Sequence, residues 1–509
     1  MAQRAVQINH WPGIGAAVFV AALIMAALGA VIWRADASNG LGPADFAAIR
    51  FTISQAAASA LLSTILAVPL ARALARRDFL GRSWLITLLG APFLLPVIVA
   101  VMGLLAIFGR NGWLNTALVS FGFEPLTIYG FHGVVLAHVF FNLPLATRLI
   151  LQGWLDVPAE QFRLAAQVRL PHTQVFRLVE WPMLRRVVPG AAALIFVICL
   201  TSFAVALILG GGPKATTIEL AIYQAFRFDF DLARAALLSL IQLGVALGAC
   251  VLAFKLLPNH TPGQGMDRAH KRWDQRPWDL PLIGLGAVFL LAPMLSILGQ
   301  GVPGLVDLPP SVWQAAMRSV LVALGSAALL MLLALPLSAL VMRVGGVEAI
   351  GLLGLATSPL MIGTGLFIVI FPFADPSRLA LAITAIVNAV MALPFALRIL
   401  VPGFREVLDS YGRLSASLGL EGLALWRIVI LPRLRRPLGF SLGLGAALSM
   451  GDLGVIALFA DPSRATLPLQ IEQLLAAYRV ETAASASLLL TALSFGVFWV
   501  CDFWGRRHA

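Results

Sequence analysis

Few groups in this chain could do chemistry, and the most conspicuous is Asp452, in the segment SMGDLG inside a long apolar run. An ionisable group in such a run is costly in lipid and by default marks a substrate or ion path. Its carboxylate suits a cation, which the faces of aromatic rings would also attract. The competing role is structural: Gly451 and Gly454 flank it, so it can instead cap a break in a helix. Ser202 holds the corresponding place earlier in the chain, and Glu219 and Tyr223 are further candidates for the path. Glu219, with Glu472, Asp229 and Asp231, reads as a loop acid lending negative potential to a mouth.

His132, His138 and Asn142 lack a nearby carboxylate that would complete a metal set, so they read as polar groups satisfied within a bundle. Cys199, Cys250 and Cys501 lie in or beside apolar runs and read as small buried hydrophobes, with no disulfide or metal framework. No Ser-His-Asp, H-E-x-x-H or paired-carboxylate pattern is present, which argues against an intramembrane enzyme. Gly210-Gly211-Gly212-Pro213-Lys214 imitates a phosphate loop but lacks its Gly-Lys-Ser/Thr end and reads as a turn. Any ATP and Mg must therefore be handled by another polypeptide, and no cofactor is expected on this one.

The densest charge lies in two matching stretches. Residues 160–186 carry Arg163, Arg169, Arg177, Arg185 and Arg186, and residues 410–436 carry Arg413, Arg427, Arg433, Arg435 and Arg436. A shift of 250 lays 143–186 on 393–436 with 16 of 44 positions identical and no gap, which marks an internal duplication. Upstream, a shift of 267 aligns Pro69 with Pro336 and Pro92 with Pro359, so the first copy has an excess that fits the loop 109–130.

In the first copy Leu164, Val168 and the Ala165-Ala166 pair recur at helical spacing while Arg163 and Gln167 face elsewhere, which predicts an amphipathic helix. Pro171 disfavours its continuation, and a second helical stretch follows with Thr173 as N-cap. Gly419 and Gly422 bend the second copy in the same region, so two short helices at an angle are predicted in each half. A basic helix of this kind can lie on anionic lipid. Its duplication favours instead a pair of equivalent docking knobs for a twofold partner.

The elements that must position these groups are membrane spans. With 60% hydrophobic and only 12% charged residues, the composition lies outside the range of soluble domains. Runs of about 20 apolar residues, enough to cross a hydrocarbon core, recur twelve times, near 14–33, 51–75, 83–108, 132–152, 188–209, 233–257, 280–298, 316–342, 349–371, 378–401, 438–459 and 483–503. The first is too long for the apolar core of a signal peptide and reads as a retained anchor. The expected fold is all-α, a polytopic bundle of about 12 spans in two parallel six-helix repeats. Its modules are 1–257 and 280–509, joined by a polar, basic linker at 258–279.

The net charge of +12 reports orientation rather than nucleic-acid binding. With both termini placed in the cytoplasm, 26 of the 36 Lys and Arg fall on that side and 10 on the other. Both basic stretches then lie on the cytoplasmic face, between the fourth and fifth spans of each half.

These stretches resemble the EAA loop of permease subunits of ATP-binding-cassette importers: Glu-Ala-Ala, Gly four residues later, then a hydrophobe and Leu-Pro at fixed distance. The second copy keeps Gly419, Val429 and Leu431-Pro432, and the first keeps Val179 and Pro182. Arg163 and Arg413 stand at the Glu position, Arg169 at the first Gly, and Trp181 at the Leu. The segments EWPMLRR, GGGPKATTIELAIYQAF and SMGDLGVIALFADPSRATLPLQI are similar, in order and position, to fused two-module permeases of bacterial thiamine importers, and the likeness covers nearly the whole chain.

That resemblance implies an inner-membrane permease moving thiamine, alone or with its phosphates, from periplasm to cytoplasm. It implies coupling helices seated in clefts of two ATPase subunits. The role would fall on Arg163, Leu164, Ala165, Ala166, Arg169, Arg177 and Pro182, and on Arg413, Leu414, Ser415, Ala416, Gly419, Arg427 and Pro432. A periplasmic thiamine-binding protein would meet the opposite loops, with Lys214, Thr216, Arg464 and Thr466 as its contacts. The alternatives are an importer of the same class for ferric iron or a polyamine, and an ion-coupled secondary transporter.

Overall fold

The computed structural model describes residues 9–35, 41–212, 215–256, 276–347, 354 and 357–506. Lys214, most of the expected linker and part of the ninth expected span lie outside them. In the first half, besides two short helices at Arg82–Leu88 and Ala91–Leu94 that break the third expected span, the helices are α1 (Trp11–Arg34), α2 (Pro43–Arg76), α3 (Val97–Phe108), α4 (Trp113–Ser120), α5 (Phe131–Leu155), α6 (Ala159–Gln167), α7 (His172–Val175), α8 (Trp181–Leu200), α9 (Ala204–Leu209), α10 (Ile218–Arg227) and α11 (Leu232–Leu256). The second half has α12 (Asp279–Gly301), α13 (Pro310–Val341), α14 (Pro359–Ile370), α15 (Pro376–Ser417), α16 (Gly422–Leu425), α17 (Leu431–Met450), α18 (Gly454–Phe459), α19 (Leu467–Ala476) and α20 (Val480–Arg506).

The fold is all-α and polytopic. Among the described residues eleven helical segments are long and apolar enough to cross a membrane, and the described part of the ninth expected span includes the shorter apolar helix α14. A helix closes its own backbone hydrogen bonds, as a segment in lipid must. Pro144 and its copy Pro394 sit inside α5 and α15 without ending them.

The halves repeat the same neighbours. α2 packs on α5 and α8 as α13 packs on α15 and α17, and α8 meets α11 as α17 meets α20. The first helix of each half breaks this separation: α1 packs on α13 and α14, whereas α12 packs on α2 and α3. Glycine permits both exchanges, because a Cβ on Gly365 of α14 would strike the Ala27 carbonyl of α1. A Cβ on Gly103 of α3 would likewise strike the Pro293 carbonyl of α12. Ser296 adds a hydrogen bond from its Oγ to the Gly103 carbonyl at 3.3 Å.

Candidate functional sites: two basic loops and a central cavity

Both basic stretches fold alike. After α6 the chain turns at Arg169 with φ +54°, and after α15 at Gly419 with φ +64°. Each turn closes the helix with the same pair of bonds: Leu170 N to Ala165 O and Arg169 N to Ala166 O, Leu420 N to Ser415 O and Gly419 N to Ala416 O. This is a Schellman cap, which needs a left-handed residue and favours glycine there. A four-residue helix follows, then a π-helical turn, Phe176–Glu180 or Trp426–Ile430, that runs into α8 or α17. Burial repeats residue by residue between 171–180 and 421–430.

The apolar residues at helical spacing turn outward: Leu164 and Val168 are 61% and 63% exposed, as are Leu414 and Leu418 at 55% and 64%. The buried side of α6 is Phe162 and Ala165, which pack with Val157, Leu170 and Val175, while Ser415 is buried in the second copy. Periodicity finds an apolar stripe but cannot say whether the stripe meets the core or a partner. Arg163, Ala166, Arg169, Arg177 and Pro182 are exposed in the first loop, as are Arg413 and Arg427 in the second; Ala416 and Pro432 are half-buried.

Pro171, not Thr173, occupies the N-cap of α7. The second copy has no separate first helix, because α15 runs unbroken to Ser417. Pro158, the N-cap of α6, separates α5 from α6, and its aligned residue is Leu408.

Glu180 was missed in the sequence. It is 1% exposed and binds two arginines of α2, Arg72 Nε at 2.8 Å and Arg76 Nη2 at 2.7 Å. The Arg72 guanidinium also lies over the Phe176 ring, 5.4 Å from its centre. Acid and bases are 104 or more residues apart, so no local pattern links them.

At the opposite end of the bundle, Thr216 and Thr466 are buried, which removes them from any exposed contact surface. They precede α10 and α19 at tight turns, where Thr217 Oγ accepts from Leu220 N at 3.2 Å. Arg464 is exposed and donates to the Ser377 carbonyl at 3.3 Å. The groups that do project there are aromatic: Phe228, 69% exposed, its copy Tyr478 at 91%, and Phe230 at 79%.

Between the halves lies a cavity of about 280 Å³ that brings together Asp452 and Glu219. Glu219, expected on a solvated loop, is instead fully buried on α10 and accepts from Ser358 Oγ at 3.1 Å. Of the other expected acids, Asp229 pairs with Arg234 at 3.2 Å and Asp231 accepts from Arg234 N. Asp452 sits where α17 gives way to α18, beside Asn388 and facing the amides of Gly454, Val455 and Ile456. Its expected capping role and its exposure to the cavity thus coexist.

Ser202 does not line the cavity but is 2.8 Å from His138 Nε2. Tyr223 lies one layer behind, with its ring edge-on to Phe203 at 5.2 Å. His138 and Asn142 are bundle polars: Ser59 and Ser202 face the imidazole, and Asn142 Nδ2 donates to the His138 carbonyl at 2.8 Å. Among the described residues no group of three His, Cys, Asp or Glu could hold a metal ion.

No family model matches the chain. Individual proteins do. The thiamine transport system permease protein ThiP of Escherichia coli is 41% identical, over 96% of both chains. Its namesake from Brucella abortus is 38% identical over 89% of this chain and 86% of its own. A sulfate transport system permease protein, CysW of Synechococcus elongatus, shares 26% identity over 35% of this chain. Full-length similarity at this level, on a polytopic helical bundle, places the chain in the family of thiamine transport system permease proteins.

Proposed function

We propose that this multi-pass membrane protein carries both transmembrane modules, 1–257 and 280–509, of an ATP-driven thiamine importer of the bacterial inner membrane, with both termini and the linker 258–279 cytoplasmic. One observation carries the reading: two loops of the same shape present the same exposed apolar pairs, Leu164 with Val168 and Leu414 with Leu418, within basic surroundings. Apolar side chains held in water on a structured knob suit a protein cleft, and two equal knobs suit two equal subunits. Those subunits supply ATP and Mg chemistry, since this chain has no phosphate loop. Their closure and opening would tilt the two halves and expose the central cavity to either side in turn. At the far face Phe228, Phe230, Tyr478 and Arg464 are the contacts offered to a thiamine-binding protein.

The test is co-purification with the ATPase. Leu164→Asp with Leu414→Asp, or Arg163→Glu with Arg413→Glu, should weaken association about thirtyfold, the scale of an interface hot spot, while membrane insertion persists. Undiminished association would remove the docking role. Unchanged uptake of labelled thiamine in cells lacking the chain would remove the substrate.

A further inference from the structure

The central cavity has a charge problem. Two carboxylates line it, and among its described lining residues there is no Lys, Arg or His. Glu219 Oε1 and Asp452 Oδ2 are each shielded from solvent and have no hydrogen-bond partner. Buried carboxylates without a compensating charge are expensive, so each must be neutralised, by a proton or by a cation in the cavity.

The duplication shows that the shared architecture does not require these acids. Glu219 aligns with Leu469, an ordinary buried residue, and Asp452 aligns with Ser202. In the first half Ser202 meets His138; in the second, at the same two places, Asp452 meets Asn388. Each half therefore contributes one acid that its counterpart lacks, and the two meet in one space. Phe203 from the first half and Phe395 from the second also line that space, and aromatic rings attract cations.

We infer that Glu219 and Asp452 form a binding site for one organic cation, held between the halves by a carboxylate from each. The inference rests on the importer reading for its natural ligand, thiamine, whose thiazolium carries a fixed positive charge. Glu219 keeps its bond to Ser358 at the start of α14 and turns its second oxygen to the ligand. Because the acids belong to different halves, separating the halves would pull the two apart and weaken the hold on the cation. Release is thereby tied to the movement that opens the path.

The experiment reconstitutes the full chain with its ATPase and binding protein in proteoliposomes. It compares uptake of labelled thiamine with that of its uncharged isostere, in which carbon replaces the thiazolium nitrogen. The wild type should prefer the cation. Glu219→Gln and Asp452→Asn should each cut thiamine uptake about tenfold, the scale of one charged hydrogen bond, and erase most of that preference. Equal loss of both compounds, or wild-type uptake and preference, overturns the site. Should Asp452→Asn fail to assemble with the ATPase, Asp452→Ser, carrying the first half's residue, replaces it. A wild-type complex that moves no thiamine sinks the importer substrate alone. The cavity is then judged by equilibrium dialysis of the solubilised chain with thiamine, choline and putrescine. Binding lost in Glu219→Gln upholds it, and no binding of any of the three overturns it.

Discussion

The two basic loops share a backbone shape and a burial pattern and are held from behind in different ways. In the first, a proline at 158 divides the helix, an arginine occupies the left-handed turn, and Glu180 is clamped by Arg72 and Arg76. In the second, α15 runs through 42 residues, glycine makes the turn, and Ile430 stands buried where Glu180 would be. Its support is aromatic: Phe404 meets Trp426 at 5.5 Å, and Arg433 lies 4.5 Å over the Tyr411 ring. Arg72 aligns with Ala339, so the ion triad could not form in the second half. After duplication the backbone of the loop and the exposed Arg163, Leu164 and Arg177, copied as Arg413, Leu414 and Arg427, stayed alike, while the buried support diverged.

That contrast can be broken most strongly at the triad. Glu180→Ala would leave two guanidiniums without their shared acid and should cost about 3–5 kcal/mol, seen as early thermal unfolding or protease cutting in the first loop. Ile430→Ala in the second loop leaves only a cavity and should cost about 2–4 kcal/mol without altering the salt dependence of stability. An equal salt response in the two variants would contradict the ionic-versus-apolar distinction.

A smaller effect is expected at the turns. Arg169→Gly should stabilise by about 1 kcal/mol, since it removes a side chain from a left-handed backbone, and Gly419→Arg should lose a similar amount. Melting temperatures that move the same way for both would show that the turns are not equivalent. At Pro158, replacement by the leucine of the second half should change stability by less than about 1 kcal/mol. Hydrogen exchange should nonetheless slow between Asp156 and Ala159 as α5 and α6 merge. Smallest of all, Leu164→Ser and Leu414→Ser taken singly should shift stability by no more than about 0.5 kcal/mol, since both side chains already stand in solvent. Their effect on ATPase association should be similar to each other, and a tenfold difference would mean that only one loop docks.

Much of this architecture was legible in the sequence because membrane spans and duplications are written in local composition. The apolar runs gave the helices, and the 250-residue shift placed both loops. What stayed hidden depends on packing at a distance. Glu219 read as a loop acid because the short helix α10, once folded inward, leaves no trace in hydropathy. The outward orientation of Leu164 and Val168 is not legible, because a stripe at helical spacing looks the same on either face. A five-residue π turn is too short for any period to reveal. The exchange of α1 and α12 has no local signature, since the glycines that permit it acquire meaning only beside their partners.

That exchange bears on how the chain is made. α1 leaves the ribosome well before α14, against which Ala27 packs and which begins 325 residues after α1 ends (359 − 34). At roughly 5–20 residues per second, synthesis leaves α1 in the bilayer for roughly 16–65 s before that surface exists. During this interval only part of its seat exists, because α11 and α13, which also pack on α1, are made before the helix that carries Gly365. The seat of α1 is thus completed only when the second half is made, so translation order as well as contact bears on the join between the halves.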